Sequence, residues 1–213
     1  MAWLQKRPQV SEAIQFYTLG LNKTVLIVGL GNIGAEYDQT RHNIGFACLD
    51  AFVVANPELG GWVEKKDLKC HLVSGQLGQT RVIAIKPTTF VNLSGEAVQN
   101  VLNFYKIPLE SVVAVYDELA IDFGHIRTRV GGESAGHNGV KSIMEVAGEG
   151  FGRVRVGIGP KKPAQIGTAD FVLQKFAKKE LDQMPALTRE VNAILSEYAF
   201  ANDLPHETRS FVI

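Results

Sequence analysis

The sequence predicts an α/β fold: a single domain with a mostly parallel, twisted mixed sheet that helices flank. Three observations support this prediction. Apolar, β-branched segments alternate with helical segments along the chain, an order that favours a parallel sheet. The length of 213 residues suits one domain with a substantial core. Hydrophobic residues make up 46% of the chain and charged residues 21%, which is the balance of a folded globular protein.

The first half of the chain contains three predicted strands and one helix. Residues 24–28 form a continuous β-branched run, which is typical of a buried parallel strand. A glycine-rich polar loop, residues 29–41, separates this strand from a helix predicted over residues 43–54. Two further strands flank the turn at residues 75–78, and the second of them spans residues 81–85.

The second half continues the alternation, beginning with a helix for which Ser94 is the predicted cap. Strands are predicted at residues 111–116, 124–130 and 153–158, a glycine-rich loop at 131–139 that leads into a helix, and a last helix at 178–201. No internal repeat or interdomain linker interrupts the series, so we expect one sheet in one domain.

We expect the chain to consist of an N-terminal arm, residues 1–22, and one domain, residues 23–213. The arm lacks the charged start, apolar run and cleavage site of a secretory signal. No apolar run is long enough to span a membrane. Two cysteines cannot build a disulfide framework, so a reducing cytoplasm is the expected location. The two cysteines and the five scattered histidines also lack the spacing that is typical of zinc ligands.

The charge distribution is uneven although the total is balanced. Lysine and arginine number 22, as do aspartate and glutamate, which argues against a strong, non-specific nucleic-acid binder. Residues 123–162, however, contain seven basic residues and three acidic ones. That local excess has two interpretations, an ordinary solvated surface or a face that contacts phosphates.

One glycine motif suggests a dinucleotide site. Residues 29–34 read GLGNIG, a literal G-x-G-x-x-G after a strand, and Asp50 follows at about the spacing of a ribose-binding acid. The motif requires a helix that starts at its third glycine, yet residues 35–41 have no apolar helical stripe. Asp50 also falls inside the predicted helix. A tight turn after a strand is therefore the better interpretation.

Three polar clusters lie at strand ends or in the loops that follow them, where α/β folds place their sites. They are TRHN at residues 40–43 with Asn32, KPTTFVNLSG at residues 86–95, and YDEL at residues 116–119 together with GGESAGHNG at residues 131–139. With FGRVRVGIG at residues 151–159, these motifs occur in the order found in bacterial-type peptidyl-tRNA hydrolases, and the chain closely resembles that family from residue 24 to the last helix.

The resemblance implies hydrolysis of the ester between a peptide and the 3′ end of tRNA, the reaction that recycles tRNA in ribosome rescue. It implies a monomer that works without metal or cofactor. His42 matches the general base that activates water, and Asp117 matches its hydrogen-bonding partner. His137 is the rival base, although its glycine neighbours suggest a turn that supports the next residue.

Further family positions imply contacts with the substrate. Asn32 matches the residue that helps to reject aminoacyl-tRNA without a blocked amine. The matching substrate-binding residues are Tyr37, Phe90, Asn92 and Asn138, and the basic residues expected to contact phosphates are Arg127, Arg129, Lys141, Arg153 and Arg155. An RNA-binding relative without catalysis, as among plastid splicing factors, is the alternative from another class, and the retained His42 and Asp117 argue against it.

The chain departs from the family pattern at five positions. Ile33 stands in place of proline, Val91 in place of methionine and Ala120 where an acid is common. Glu133 and Ala135 interrupt the glycine-rich stretch. We expect these changes to affect peptide preference and tRNA affinity more than the reaction, because none replaces His42 or Asp117.

Overall fold

The computed structural model describes residues 23–211, so the predicted N-terminal arm lies outside the described residues. Within this range one mixed sheet has the strand order β2-β3-β4-β1-β5-β7-β6-β8. Its strands are β1 (Thr24–Gly29), β2 (Val63–Lys65), β3 (Cys70–Leu77), β4 (Thr80–Pro87), β5 (Val112–Asp122), β6 (His125–Val130), β7 (Gly152–Gly159) and β8 (Thr208–Ser210). The predicted α/β fold with a mixed sheet is confirmed.

Parallel pairing occupies the centre of the sheet. Strand β1 runs parallel to β4 and β5, and β5 runs parallel to β7. The remaining four pairs, towards both edges, are antiparallel, so parallel pairing is confined to the centre and the mixed sheet is less parallel than the sequence predicted. The central strands read as continuous apolar runs because helices cover both of their faces.

Helices pack on each side of the sheet. They are α1 (Ile44–Ala55), α2 (Ser94–Tyr105), α3 (Asn138–Ala147), α4 (Thr168–Val172), α5 (Lys178–Leu181) and α6 (Met184–Ala201). Helices α1 and α6 share one core with Val25 and Ile27 of β1. Helices α2 and α3 share the other with Leu26 and Val28, so β1 alternates its side chains between two buried layers.

Two predictions of local structure are wrong. Ser94 does not cap α2: its side chain makes no capping hydrogen bond, and Ser142 Oγ accepts the Gly95 N–H instead, at 3.0 Å. The last helix is also divided, because α6 begins anew at Met184 with Pro185 in its first turn. Proline lacks a backbone N–H and its ring clashes with the preceding turn, so it is tolerated only at a helix start.

None of the helices within residues 23–211 combines the length and the apolar character that crossing a membrane requires.

Candidate active site

The site lies at the carboxyl ends of the parallel strands, where a close approach of α1 to the sheet brings His42 to β5. His42 lies in a short 3-10 turn, Arg41–Asn43, immediately before α1. At the start of α1, a Cβ on Gly45 would lie 2.4 Å from the carbonyl oxygen of Val115 and 2.5 Å from that of Leu30. Only glycine permits this contact. The turn that carries His42 is thereby held beside the strand that carries Asp117.

His42 and Asp117 form a buried hydrogen-bonded pair. The two residues are 8% and 4% exposed, and His42 Nδ1 lies 2.8 Å from Asp117 Oδ1. A carboxylate only accepts hydrogen bonds, so Nδ1–H is the donor and the ring proton of neutral His42 sits on Nδ1. Nε2 is then the nitrogen that carries a free lone pair. This is the tautomer that a general base requires.

His137 is a second donor to the same carboxylate oxygen. Its Nε2 lies 3.1 Å from Asp117 Oδ1, while its Nδ1 accepts the backbone N–H groups of Gly139 and Val140 at 3.2 and 3.3 Å. Because Nδ1 accepts, the ring proton is on Nε2 and points to Asp117. His137 thus caps the N-terminus of α3 and holds Asp117 at once. Both of its nitrogens are engaged, so the geometry disfavours the rival-base interpretation.

The two imidazoles determine the charge of Asp117. Burial alone raises the pKa of this carboxyl, but the attraction of the His137 ring and the hydrogen bonds from His137 and His42 together lower it to about 2. Asp117 is therefore ionised throughout the neutral range. A fixed negative charge in a buried site stabilises a positive charge that develops on a neighbouring ring.

His42, Asp117 and His137 also form a cluster whose potential ligand atoms lie within 4.8 Å of one another. A histidine nitrogen must be unprotonated to bind a metal. Both nitrogens that face Asp117 carry protons in this hydrogen-bond arrangement, and His137 cannot change tautomer without turning Nδ1–H against two backbone N–H groups. The donor set therefore fits a hydrogen-bond network rather than a metal site.

Asn32 is fixed in place by two neighbours. Its backbone N–H donates to Asn43 Oδ1 and its carbonyl accepts from Asn43 Nδ2, each at 2.9 Å. Its own Oδ1 accepts the backbone N–H of Val91 at 2.9 Å. These bonds leave the Nδ2 amide group of Asn32 as the part of the side chain that remains available to a ligand.

A cavity of about 580 Å³ opens beside these residues. Its walls bring together four of the predicted residues, His42, Asp117, Asn32 and Asn138, with the following further lining residues: Glu118, Leu119, Ala135, Gly136, His137, Thr168, Ala169, Val172 and Leu173. Three other predicted residues, Tyr37, Phe90 and Asn92, are not part of this lining. Phe90 and Asn92 flank Val91, whose amide holds Asn32, and Phe90 is 55% exposed.

The family model described as peptidyl-tRNA hydrolase matches residues 26–211. A protein named peptidyl-tRNA hydrolase from Gloeobacter violaceus is 42% identical over 177 residues, which cover 81% of this chain and 88% of the relative. Another of that name, from Caldanaerobacter subterraneus, is 42% identical over 190 residues, covering 87% and 98%. The chain belongs to the peptidyl-tRNA hydrolase family.

A solved structure of the family has the same fold. The crystal structure of peptidyl-tRNA hydrolase from Acinetobacter baumannii aligns with a TM-score of 0.74 and 31% identity over 84% of this chain and 89% of that one. The resemblance inferred from the motifs, and the hydrolase class that it implies, are confirmed. The dinucleotide-site interpretation fails on geometry, because a 3-10 turn, Ala35–Tyr37, follows Gly34, and Asp50 lies within α1, 2.5 Å from Lys86 Nζ.

The basic residues of this peptidyl-tRNA hydrolase family member divide into exposed and buried ones. Arg127 and Lys141 are exposed, and Arg129 and Arg155 are half-buried. Arg153 is fully buried; its Nη1 donates to the Glu133 carbonyl at 2.6 Å and its guanidinium lies 4.7 Å from the Phe151 ring centre. The expectation that Arg153 reaches a phosphate is therefore corrected: it supports the loop that carries Glu133.

Proposed function

We propose that this member of the peptidyl-tRNA hydrolase family releases tRNA from peptidyl-tRNA with His42 as the general base. One observation carries the proposal: the buried His42–Asp117 pair, with the unprotonated Nε2 of His42 in a residue that lines the cavity. A base must be oriented, must hold the correct tautomer, and must be able to stabilise the charge that it acquires. The Asp117 carboxylate supplies all three conditions.

The reaction proceeds by direct attack of water on the ester. His42 Nε2 takes a proton from a water molecule as the water oxygen bonds to the ester carbonyl carbon. The resulting imidazolium is stabilised by ionised Asp117, which itself stays unprotonated because its pKa is about 2. The carbon–oxygen bond to the ribose then breaks, and the 3′ oxygen leaves with the proton from His42. The products are a peptide carboxylic acid and free tRNA.

The asparagines and aromatic residues are proposed to hold the substrate. Asn32 lines the cavity and its Oδ1 is occupied by the Val91 N–H, so its Nδ2 donor is suited to recognise a carbonyl of a blocked amino group, as the family resemblance implies. Asn138 lines the same cavity, and Asn92, Tyr37 and Phe90 are assigned to its surroundings, where the tRNA end and the peptide would pass. Aromatic faces and neutral amides suit bases, ribose hydroxyls and peptide groups alike.

The basic face is proposed to contact tRNA phosphates. Arg127 lies opposite Arg155 in the antiparallel pair of β6 and β7, and like charges placed opposite each other repel. Arg129 and Arg155 line a second cavity of about 450 Å³, and Arg155 is 3.9 Å from the carboxylate of Glu118. Glu133 also lines this cavity, and two acids do not fully balance the three guanidiniums of Arg127, Arg129 and Arg155, so an anion such as phosphate would relieve the repulsion. Lys141 on α3 belongs to the same proposed face.

Salt dependence tests this face. Neutralising Arg127 and Lys141 together is expected to flatten the slope of log Kd against log salt, by about 0.7 to 0.9 for each lost contact. The wild-type slope should correspond to about two to four contacts, given the zero net charge. Hydrolysis of a minimal substrate without the tRNA body should stay unchanged. Coinciding slopes for the wild type and the double variant would mean that tRNA is held elsewhere.

Direct attack by water can be tested by rapid mixing with N-acetyl-aminoacyl-tRNA, with unblocked aminoacyl-tRNA as the specificity control. We expect tRNA and N-acetyl amino acid to appear together, without a burst of tRNA. A covalent intermediate would release tRNA first and give a burst, and that result would overturn the mechanism. Near-equal rates on the two substrates would overturn the assignment of Asn32.

We propose that the enzyme acts as a monomer in the cytoplasm without metal or cofactor, and that a domain boundary lies near residue 23. In support, Cys48 and Cys70 are both free and buried, as in a protein that does not depend on disulfides. Sedimentation of the full chain at assay concentration tests the monomer.

A further inference from the structure

The turn that carries His42 is also joined to the segment between α4 and α5. Residues 39–41 pair with residues 174–176 through backbone hydrogen bonds: Arg41 N–H donates to the Gln174 carbonyl at 3.0 Å, and Phe176 N–H donates to the Gln39 carbonyl at 3.2 Å. An isolated bridge between Thr40 and Lys175 lies between them. The two segments therefore move as one backbone unit unless these bonds break.

The Arg41 side chain fixes this junction from inside. It is 7% exposed, and its Nη1 donates to the Lys175 carbonyl and its Nη2 to Glu180 Oε2, both at 2.7 Å. The guanidinium also lies 4.8 Å from the ring centre of Phe171 and 5.0 Å from that of Phe176. A buried guanidinium requires such partners, because an unpaired buried charge is strongly destabilising. All four partners belong to residues 171–180.

This segment forms one wall of the cavity that contains His42. Helix α4 and the residue after it contribute Thr168, Ala169, Val172 and Leu173 to the lining. Phe171, between these residues, is buried and faces Arg41 instead. Arg41 thus contacts the rear of the wall while the neighbouring residue, His42, faces the cavity. One residue links the position of the wall to the position of the base.

We propose that Arg41 is a positioning residue that sets the wall formed by α4 and Leu173 against the base, and thereby determines affinity for the peptide part of the substrate. The inference rests on the proposed function, since it takes this cavity as the place where the peptide lies. Val172 and Leu173 are apolar, so the wall suits apolar peptide side chains. Glu180 completes the link, since its Oε2 accepts both Arg41 and the Ala177 N–H, the latter at 2.6 Å.

Glu180→Gln is the test variant, because it removes the charge and keeps the size of the side chain. We expect KM for a tRNA that carries an apolar tripeptide to rise by roughly three- to thirtyfold, the range for coupling through packed networks. KM for N-acetylglycyl-tRNA and both kcat values should stay within about twofold. Glu190→Gln is the matched control, since Glu190 pairs with an arginine, Arg209, whose partners lie on α6 and beside β8.

A double-mutant cycle with Val172→Ala shows whether the effect passes through the wall. If it does, Glu180→Gln should change KM for the tripeptide substrate much less once Val172 is truncated. Arg41→Lys gives a second route, because lysine keeps the charge but cannot make both bonds.

Equal KM changes for both substrates, a fall in kcat alone, or additive effects in the cycle would overturn the inference. If Glu180→Gln lowers the melting temperature, KM is measured below that temperature for Arg41→Lys and for the double-mutant cycle. Those KM values then decide whether the inference holds. The proposed function fails separately, through an inactive wild type or a fully active His42→Ala.

Discussion

Replacing Asp117 with asparagine isolates the charge of the carboxylate from its shape. The amide oxygen of Asp117→Asn can still accept N–H groups from His42 and His137, which lie 2.8 and 3.1 Å from Asp117 Oδ1. What is lost is the negative charge that stabilises protonated His42. We therefore expect a correctly folded enzyme with a poorer base.

The structure sets the order of magnitude of the effect. The pKa of Asp117 falls from 3.8 to about 2 in spite of its burial. That fall corresponds to roughly 2 kcal/mol of preference for the ionised form, or on the order of a thirtyfold change in rate if it is lost in the transition state. This preference already includes the attraction of both imidazole rings and is reduced by burial, so we expect kcat/KM to fall by on the order of tenfold to a hundredfold.

The assay is release of tRNA from N-acetyl-aminoacyl-tRNA across the pH range, with Asp122→Asn as a control on the same strand. Asp117→Asn should retain more activity than His42→Ala, and the acidic limb of its kcat/KM profile should move to lower pH, because protonated His42 has lost its counter-charge. An unchanged rate and profile would refute the reasoning and leave Asp117 as a turn residue.

Three further predictions follow from the same network. His137→Asn should keep a cap on α3 but lose the bond to the buried Asp117 carboxylate, so activity should fall about tenfold and the free energy of unfolding should fall by about 1 to 3 kcal/mol; full activity in the folded variant would contradict the assignment. Asn32→Asp keeps an acceptor for the Val91 N–H but removes the Nδ2 donor, so kcat/KM for the N-acetyl substrate should fall about tenfold or more and discrimination against unblocked aminoacyl-tRNA should weaken; retained discrimination would contradict it. Because folding lowers the pKa of Asp117, its ionised carboxylate contributes fully to stability above pH 3.8 and progressively less as the pH falls towards 2. The difference in unfolding free energy between the wild type and Asp117→Asn, measured in urea, should therefore shrink by on the order of 2 kcal/mol between pH 6 and pH 2. A difference that stays constant with pH would contradict this prediction.

Much of the sheet was predictable because its central strands consist of uninterrupted runs of apolar residues. Strand β1 and strand β7 agree with the predicted ranges to within a residue at either end. The short edge strands β2 and β8 carry polar residues and depend on pairing with a neighbour, which a local pattern does not encode. The division of the last helix had a visible signal, Pro185, which the prediction did not use.

The site was predictable as a set of residue types but not as a network. The motifs indicated His42 and Asp117, but the double role of His137 depends on which ring nitrogen meets α3 and which meets Asp117, 20 residues away in sequence. Asn43 was visible only as a member of a motif, whereas its side chain clamps the backbone of Asn32. The burial of Arg153 was hidden as well, because the alternation of a strand does not reveal which of its faces is covered.

The most direct test of the central claim is the rate of tRNA release from N-acetyl-aminoacyl-tRNA by His42→Ala. We predict that kcat/KM falls by about a hundredfold to ten-thousandfold, while the circular dichroism spectrum and the Kd for tRNA stay as in the wild type. His71→Ala, which changes a histidine on β3 away from the cavity, should keep wild-type turnover. A folded His42→Ala protein that turns over at close to the wild-type rate would contradict the assignment of His42 as the general base.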